Sequence, residues 1–419
     1  MKKNDSTEEG PVQAVMDEQV RSCGLIRALS ANLAELGQVQ FDYFGELNRL
    51  AKEVAPQIAR IPATFPQYTP HDWNLHVRRL FGLADRLIDA ERFASMYPAE
   101  LFVLAASLFA HDWGMAVSDD ERDAIAAGAK APAGAAFSLL ENEPSELANF
   151  ARSNGVEITP DGSCPALREE GYWREYIRST HAWRSGLRAR RFFEKTDGGV
   201  AQAVAAACEG HWLDLSDIDS ESRFPAFLNV FDQRINLRAI VVYVRLIDLF
   251  DIGEDRTPYA LWRFVGLRDK KSAIEWSKHR ALRPVNVEPY QPGRRVVVDG
   301  TATDPDLWAA LLDLRDYIDQ QLRDCMDLIA RHPDARHTLD LAPVVRWNVK
   351  PQGFMPVQLR FEFDRARMFE ILSNEIYQGD SYVFLRELLQ NSIDAIRVRR
   401  AKQAQRPQDG IAEGIIEFK

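Results

Sequence analysis

The stretch Leu101-Phe102-Val103-Leu104-Ala105-Ala106-Ser107-Leu108-Phe109-Ala110 runs directly into His111-Asp112. It carries no charge and no polar stripe, so as a helix it has to be covered on every side. At this length it cannot span a bilayer, and neither can the second apolar segment, 239–250. The cover must therefore come from other helices of the same chain. An ionisable Asp at the end of such a buried helix is costly unless something neutralises it. A divalent cation does that well.

From Gln19 to about His279 nearly every segment repeats its apolar residues at three and four, as in Leu75, Leu80, Leu83 and Leu87. That period predicts a mainly α fold, with no alternating strand in this range. Residues 124–136, rich in Ala, Gly and Pro, interrupt it. They mark an expected insertion at about 117–170, read as a surface loop or a lid. The character changes at Pro284–Pro292. A short strand is expected at Arg295–Asp299 and a helix from about Asp306 to Arg331. Pro356–Phe363 alternates like a strand, and helices follow at about 365–377 and 381–402. Residues 414–419 read as a strand that has just begun. The expected organisation is a disordered N-terminus (1–18), a helical domain (19–283), a connecting α+β region (284–355) and a further α/β segment (356–419). A chain of 419 residues has room for two or three domains.

Only eight histidines are present, and several stand at telling places. His76 lies four residues before Leu80, at the start of an apolar stripe, and so faces its helix interior. His181 lies inside the helix around Arg178–Ser185. His211 closes the helix that begins near Val204. Leu237–Asp248 is another largely apolar helix with a late Asp, and Asp251 follows about one turn later on the same face. A lone His on an apolar face is usually a hydrogen-bonded core residue, and a His-Asp dipeptide alone means little. Several placed positions together suit an ion such as Fe, Mn, Zn or Ni, with an open position for water. Asp251 and Asp255 either order a ligand or Arg256, or cap the helix end. His71 is read as a capping or solvated loop residue, and His332 and His337 as polar surface. His279 is within reach of the site. Trp113, Trp173, Trp183 and Trp212 are read as packing, with a wall for stacking a base as the lesser reading. Arg178, Arg245 and Arg256 are candidates to pair with phosphate oxygens.

The order His, His-Asp, His, His, Asp, together with Val244-Arg245-Leu246-Ile247-Asp248-Leu249-Phe250-Asp251, resembles the HD phosphohydrolase superfamily over roughly residues 70–260. The resemblance implies an HD-domain helical bundle. It implies one metal held by His76, His111, Asp112 and Asp248, with Asp112 bridging to a second held by His181 and His211. One or two divalent transition-metal ions (Fe, Mn, Zn or Ni) would then serve hydrolysis of a nucleotide or cyclic nucleotide, with Asp112, Arg178 and Arg245 as catalytic residues. An inert nucleotide sensor and a nuclease are the alternatives.

Near the C-terminus, Phe384-Leu385-Arg386-Glu387-Leu388-Leu389-Gln390-Asn391-Ser392-Ile393-Asp394-Ala395-Ile396 places Glu387, Asn391 and Asp394 four and three residues apart, on one helical face. This resembles the first motif of the GHKL ATPases, and with the preceding strand it is most similar to their heat-shock-chaperone branch. The resemblance implies Glu387 as general base and Asn391 as Mg2+ ligand, with Asp394 also at the ATP site. The family's later Asp-x-Gly-x-Gly loop and Gly-rich phosphate loops are missing here. The expectation is therefore the start of such a domain, with Mg2+ and ATP held only by a complete one. In that complete protein the ATPase would gate the hydrolase, through a homodimer of the ATPase domain. A fusion of this kind suits a bacterial stress or defence system.

A formal charge of -10 argues against a surface that grips nucleic acid throughout. The basic runs 184–195 and 397–402 are read as solvated faces, which leaves nucleic acid as a minor reading. The four cysteines, Cys23, Cys164, Cys208 and Cys325, are far apart, with no Cys-x-x-Cys pair. No disulfide framework is expected, and a reducing cytoplasm fits, with no membrane partner.

Overall fold

The computed structural model describes residues 18–37, 40–128, 142–267, 269–356 and 382–404. The fold is mainly α, a helical bundle with a small sheet following it in the chain. Helices α1 (Gly24–Leu36) and α2 (Tyr43–Ile58) come first. A π-helical turn, Trp73–Val77, leads into α3 (Arg78–Leu87). The apolar segment forms α4 (Pro98–Ala110), and every one of its residues is buried. Next come α5 (Asp119–Ala126), α6 (Glu143–Asn154), the long α7 (Glu170–Phe193) and α8 (Gly198–Gly210). Helices α1, α2, α8 and a later helix, α9 (Leu237–Leu249), surround α4. Burying each Leu, Phe or Val of α4 contributes roughly 1.5–3 kcal/mol, which makes it the energetic axis of the bundle.

Local signals set where these helices begin. Pro98 opens α4, and Glu100 reaches back to accept from the Tyr97 backbone N–H at 2.8 Å. Asp197 caps α8 through the Val200 N–H at 2.8 Å, and Asn236 caps α9 through Ala239 at 3.0 Å. Asp72 accepts from Asn74 and Leu75 at 2.8 and 2.9 Å, fixing the start of the π turn that carries His76.

The structure corrects the expectation of helix alone before residue 283. Strands β1 (Phe227–Val230) and β2 (Gln233–Asn236) form an antiparallel hairpin that feeds directly into α9. Its two-residue loop, Phe231-Asp232, has positive φ at both residues (48° and 63°), a geometry usually given to Asn-Gly. Packing of the Phe231 ring 4.1 Å from Phe41 and 5.4 Å from Tyr43 offsets that strain. A turn written as Phe-Asp carries no hairpin signal in sequence. The Ala-rich stretch is also more regular than a loop at its ends: Ala124–Ala126 finish α5, while 129–136 lie outside the described residues.

After α10 (Lys270–Ala281), strands β3 (Asn286–Tyr290) and β4 (Gly293–Ala302) pair antiparallel. Helix α11 (Pro305–Arg331) then returns the chain, so that β5 (Arg346–Pro351) pairs parallel to β4. The expected strand at 295–299 is thus the centre of β4, and the expected helix is α11. The chain divides into two units, Met1–Pro356 and Val357–Lys419. In the second unit the described residues form α12 (Val383–Ala404). The expected strands at 356–363 and 414–419 and the helix at 365–377 lie outside the described residues, as do 1–17. Among the described residues no single helix is long and apolar enough to cross a membrane.

Candidate metal centre

Six side chains from five parts of the bundle meet below one cavity. His76 comes from the π turn, a local widening often found at functional sites. His111 caps the C-terminus of α4. Asp112 then adopts φ -101° and ψ 5°, a bridge conformation that turns its carboxylate back beside the His111 ring. His181 projects from the middle of α7, His211 closes α8, and Asp248 ends α9.

The donor atoms form two clusters that share Asp112. In the first, the Nε2 atoms of His76 and His111 are 3.0 Å apart, and each lies 3.2 Å from Asp112 Oδ2. Asp248 Oδ1 joins at 3.4 Å from His76 and 3.7 Å from His111. In the second, the Nε2 atoms of His181 and His211 are 3.2 Å apart, and lie 3.6 and 3.9 Å from Asp112 Oδ1. Donors bound to one ion at about 2.1 Å sit roughly 3.0–3.4 Å from each other, so these separations fit ligands facing a common ion. The two oxygens of Asp112 each face a different cluster, the arrangement of a bridging carboxylate.

The outer nitrogens of the four histidines are all tied down. His76 Nδ1 donates to Asp251 Oδ2 at 2.6 Å. The other three Nδ1 atoms donate to the backbone carbonyls three residues earlier: His111 to Leu108 at 3.2 Å, His181 to Arg178 at 2.6 Å and His211 to Cys208 at 2.5 Å. A carbonyl can only accept, so Nδ1 carries a proton and Nε2 faces the centre. Charge is arranged to the same end. Burial would raise the Asp112 and Asp248 carboxyls, but the facing histidines hold both well below the ordinary carboxylate range. Burial pushes His211 down to about 3 and also lowers His181, so both rings stay neutral. Four imidazoles with two carboxylates are a donor set for Fe, Mn, Zn or Ni.

The supporting residues divide sharply. Asp251 is fully buried between His76, Arg79 and Arg256, with Arg79 Nε at 2.8 Å and Arg256 Nη1 at 3.1 Å. It orders both His76 and Arg256. Asp255 pairs with Arg79. Arg178 lines the cavity, flanked by the rings of Tyr68 and Trp212 at 5.8 and 5.9 Å. Arg245 corrects the sequence reading. It is buried away from the cavity, and its guanidinium donates to the carbonyls of Gly210, His211 and Leu213 at 3.2, 3.2 and 2.6 Å and to Gln321 at 2.7 Å. It therefore caps the C-terminus of α8 and holds His211 in place.

Other histidines depart from expectation too. His71 lines the cavity, with Nε2 4.0 Å from Asp112 Oδ2 and Nδ1 buried with no hydrogen-bond partner among the described residues. His279 also lines the cavity. His337 is wholly buried and bonds Glu100 at 2.9 Å, so it is not surface; His332 contacts Arg238. The sequence suggests a capping or solvated residue at His71, because it lies on no apolar stripe, whereas His279 is expected within reach of the site. The four cysteines are free and buried.

The cavity measures about 300 Å3, and Tyr68, Met115, Trp212 and Ile252 face it alongside the polar residues. Gly114 keeps the loop after Asp112 against α7: a Cβ there would collide with the His181 carbonyl, while its N–H donates to Ser185 Oγ at 2.7 Å. In α12, Glu387 pairs with Arg386 at 3.7 Å, Asp394 accepts from Gln390 at 3.1 Å and from Arg397 at 3.2 Å, and Asn391 is exposed.

Searches of curated proteins and of solved structures found no match to the chain. The HD-CE family model matches residues 65–324, ending before the segment that carries Glu387, Asn391 and Asp394. That span takes in all six residues of the donor clusters and more than half of the sequence: the chain belongs to the HD-CE family.

Proposed function

We propose that this protein is an HD-type, metal-dependent phosphohydrolase acting on a nucleotide or cyclic nucleotide. One observation carries the reading. Four imidazoles with their outer nitrogens already protonated converge with both oxygens of Asp112 at the floor of a cavity that also holds Arg178. His76, His111, Asp112 and Asp248 would hold one ion, and Asp112, His181 and His211 a second. An ion held there lowers the pKa of water and polarises a phosphoryl oxygen. The chain's own groups do the rest. Asp112 joins the two halves, Asp251 and the three carbonyls orient the rings, and Arg178 supplies a cation for a phosphate oxygen. A cavity of about 300 Å3 lies at the small end of ligand sites, which favours a single nucleotide over a polynucleotide strand.

The test is metal content by elemental analysis, on wild type and Asp112→Ala purified side by side, followed by turnover of nucleotides and cyclic nucleotides. Wild type is expected to carry one or two equivalents of Fe, Mn, Zn or Ni, and Asp112→Ala to lose metal and turnover while keeping its helical signal. Metal without turnover of any phosphoester points to a sensor. Absence of metal, even after reloading, sinks the reading.

The spacing of Glu387, Asn391 and Asp394 on α12 supports a further proposal, coupling to a chaperone-like ATPase in a complete domain. Mg2+-dependent ATP binding that is lost in Asn391→Ala, measured on a chain that includes the full domain, checks it.

A further inference from the structure

The cavity wall beside the second donor cluster is aromatic. Trp212 follows His211 directly, and its ring lies 5.0 Å from that of His181 at 70°. His211 before it is buried, yet Trp212 is 47% exposed and lines the cavity. Across from it, the Tyr68 ring is fixed by its hydroxyl, which donates to the Arg174 carbonyl at 2.7 Å. The Arg178 guanidinium sits between the two rings, 5.9 Å from Trp212 and 5.8 Å from Tyr68. Among the described residues it has no carboxylate partner, whereas Arg174 pairs with Asp269 and Arg256 with Asp251. An exposed indole next to His211 and an uncommitted guanidinium one turn before His181 thus stand together beside the second donor cluster.

We propose that Trp212 and Arg178 form the recognition subsite of this centre, the indole stacking on the base of a nucleotide and the guanidinium binding its phosphate. This rests on the phosphohydrolase reading above and names what selects its substrate. Cation–π contact with both rings holds Arg178 in place before any ligand arrives. A base laid on Trp212 covers apolar surface that is otherwise wet, and it does so through a π face that every base has. The subsite therefore distinguishes nucleotides from phosphorylated sugars, and hardly distinguishes one base from another. A phosphate without a base would meet Arg178 but gain nothing from Trp212.

The experiment is isothermal titration of the metal-loaded protein with the adenosine, guanosine, cytidine and uridine 5′-monophosphates and with ribose 5-phosphate. Wild type is expected to bind the nucleotides more tightly than ribose 5-phosphate. Trp212→Ala should weaken nucleotide binding roughly tenfold or more and leave ribose 5-phosphate unchanged, and Trp212→Phe should keep most of the affinity. Arg178→Ala should weaken both kinds of ligand. Metal content measured on each variant separates lost recognition from a damaged centre. The subsite is overturned if wild type does not prefer nucleotides, or if Trp212→Ala affects nucleotides and ribose 5-phosphate alike. Turnover of phosphoesters with no dependence on Trp212 removes the subsite and leaves the hydrolase. Trp212-dependent nucleotide binding without any turnover does the reverse.

Discussion

Asp251 touches no second cluster, yet the first depends on it. Burial works against its charge, but Arg256 and His76 hold the carboxyl well below its usual range. It can then accept the His76 Nδ1 proton and keep Nε2 turned inward. Asp251→Asn removes the charge and keeps the shape. Metal affinity, read by competition with a chelator, should fall about ten- to a hundredfold with little loss of helix. His111 supplies a second prediction. Burial pushes its imidazole down, but Asp112 and Asp248 outweigh burial and hold it up at about 10. Without an ion the ring is therefore charged at neutral pH, while His181 and His211 are already neutral. An ion entering the first cluster must expel that proton. Metal affinity should rise with pH below about 10, and calorimetry in buffers of different ionisation enthalpy should report a released proton. A binding enthalpy that ignores the buffer counts against this. The donor positions drew notice in sequence because each sits on or at the end of a helical segment, and His111, Asp112, His211 and Asp248 at the end of an apolar one, where a polar residue needs a reason. His337 was not, because the acid that accounts for its burial, Glu100, is 237 residues away in the chain. Arg245 looked like a phosphate ligand because charge is visible in sequence and the carbonyls that engage it are not.

At the scale of elements, the segment read as an insertion is bound to the helix that carries His181. Arg184, three residues after His181, is wholly buried. It meets both oxygens of Glu143, the first residue of α6, at 2.7 and 2.8 Å, pairs with Glu121 of α5, and donates to the Gly114 carbonyl at 3.2 Å. Arg188 adds bonds to the Trp113 and Ala116 carbonyls at 2.9 and 2.6 Å. Helices α5 and α6 and the loop after Asp112 are thus all fastened to α7 by buried charges. Such a network adds little over an apolar core, but removing one partner strands the others. Glu143→Ala should cost about 3–5 kcal/mol in urea unfolding. Asp120→Ala, on the exposed side of the same first turn of α5, should cost far less, so an equally small effect at Glu143 would show the network to be wet. In sequence Glu121 stands in the run Asp119-Asp120-Glu121 and looks like any acidic helix start. The 3.6 period exposed the bundle, but it could not reveal which acids turn inward. Nor could it reveal a hairpin whose turn is Phe-Asp, since tertiary packing of Phe231 replaces the usual Asn-Gly chemistry.

For the whole molecule, the question is where the metal-bearing unit stops. The family match ends at residue 324, inside α11. The structural unit runs on to Pro356, and the reason is the order of the sheet: β4 lies between β3 and β5, and β5 is reached only after α11. Val298 and Ala302 of β4 are fully buried, and Leu311, Ile318 and Leu322 of α11 belong to the same continuous core as α9. A chain cut at residue 324 would lose β5, leave one side of β4 unpaired and remove the last turns of α11, including Leu328 and Ile329. An open apolar edge of that kind invites pairing with other chains. A chain cut after Pro356 keeps every one of these contacts. The 1–356 chain is therefore expected to be monodisperse, with the metal content and thermal midpoint of the longer chain, and the 1–324 chain to aggregate or melt many degrees lower. Circular dichroism melting with elemental analysis on both lengths makes the comparison. Equal behaviour of the two would mean that the sheet is an appendage to the bundle. Loss of metal from the 1–356 chain would place a part of the site's support in the C-terminal unit.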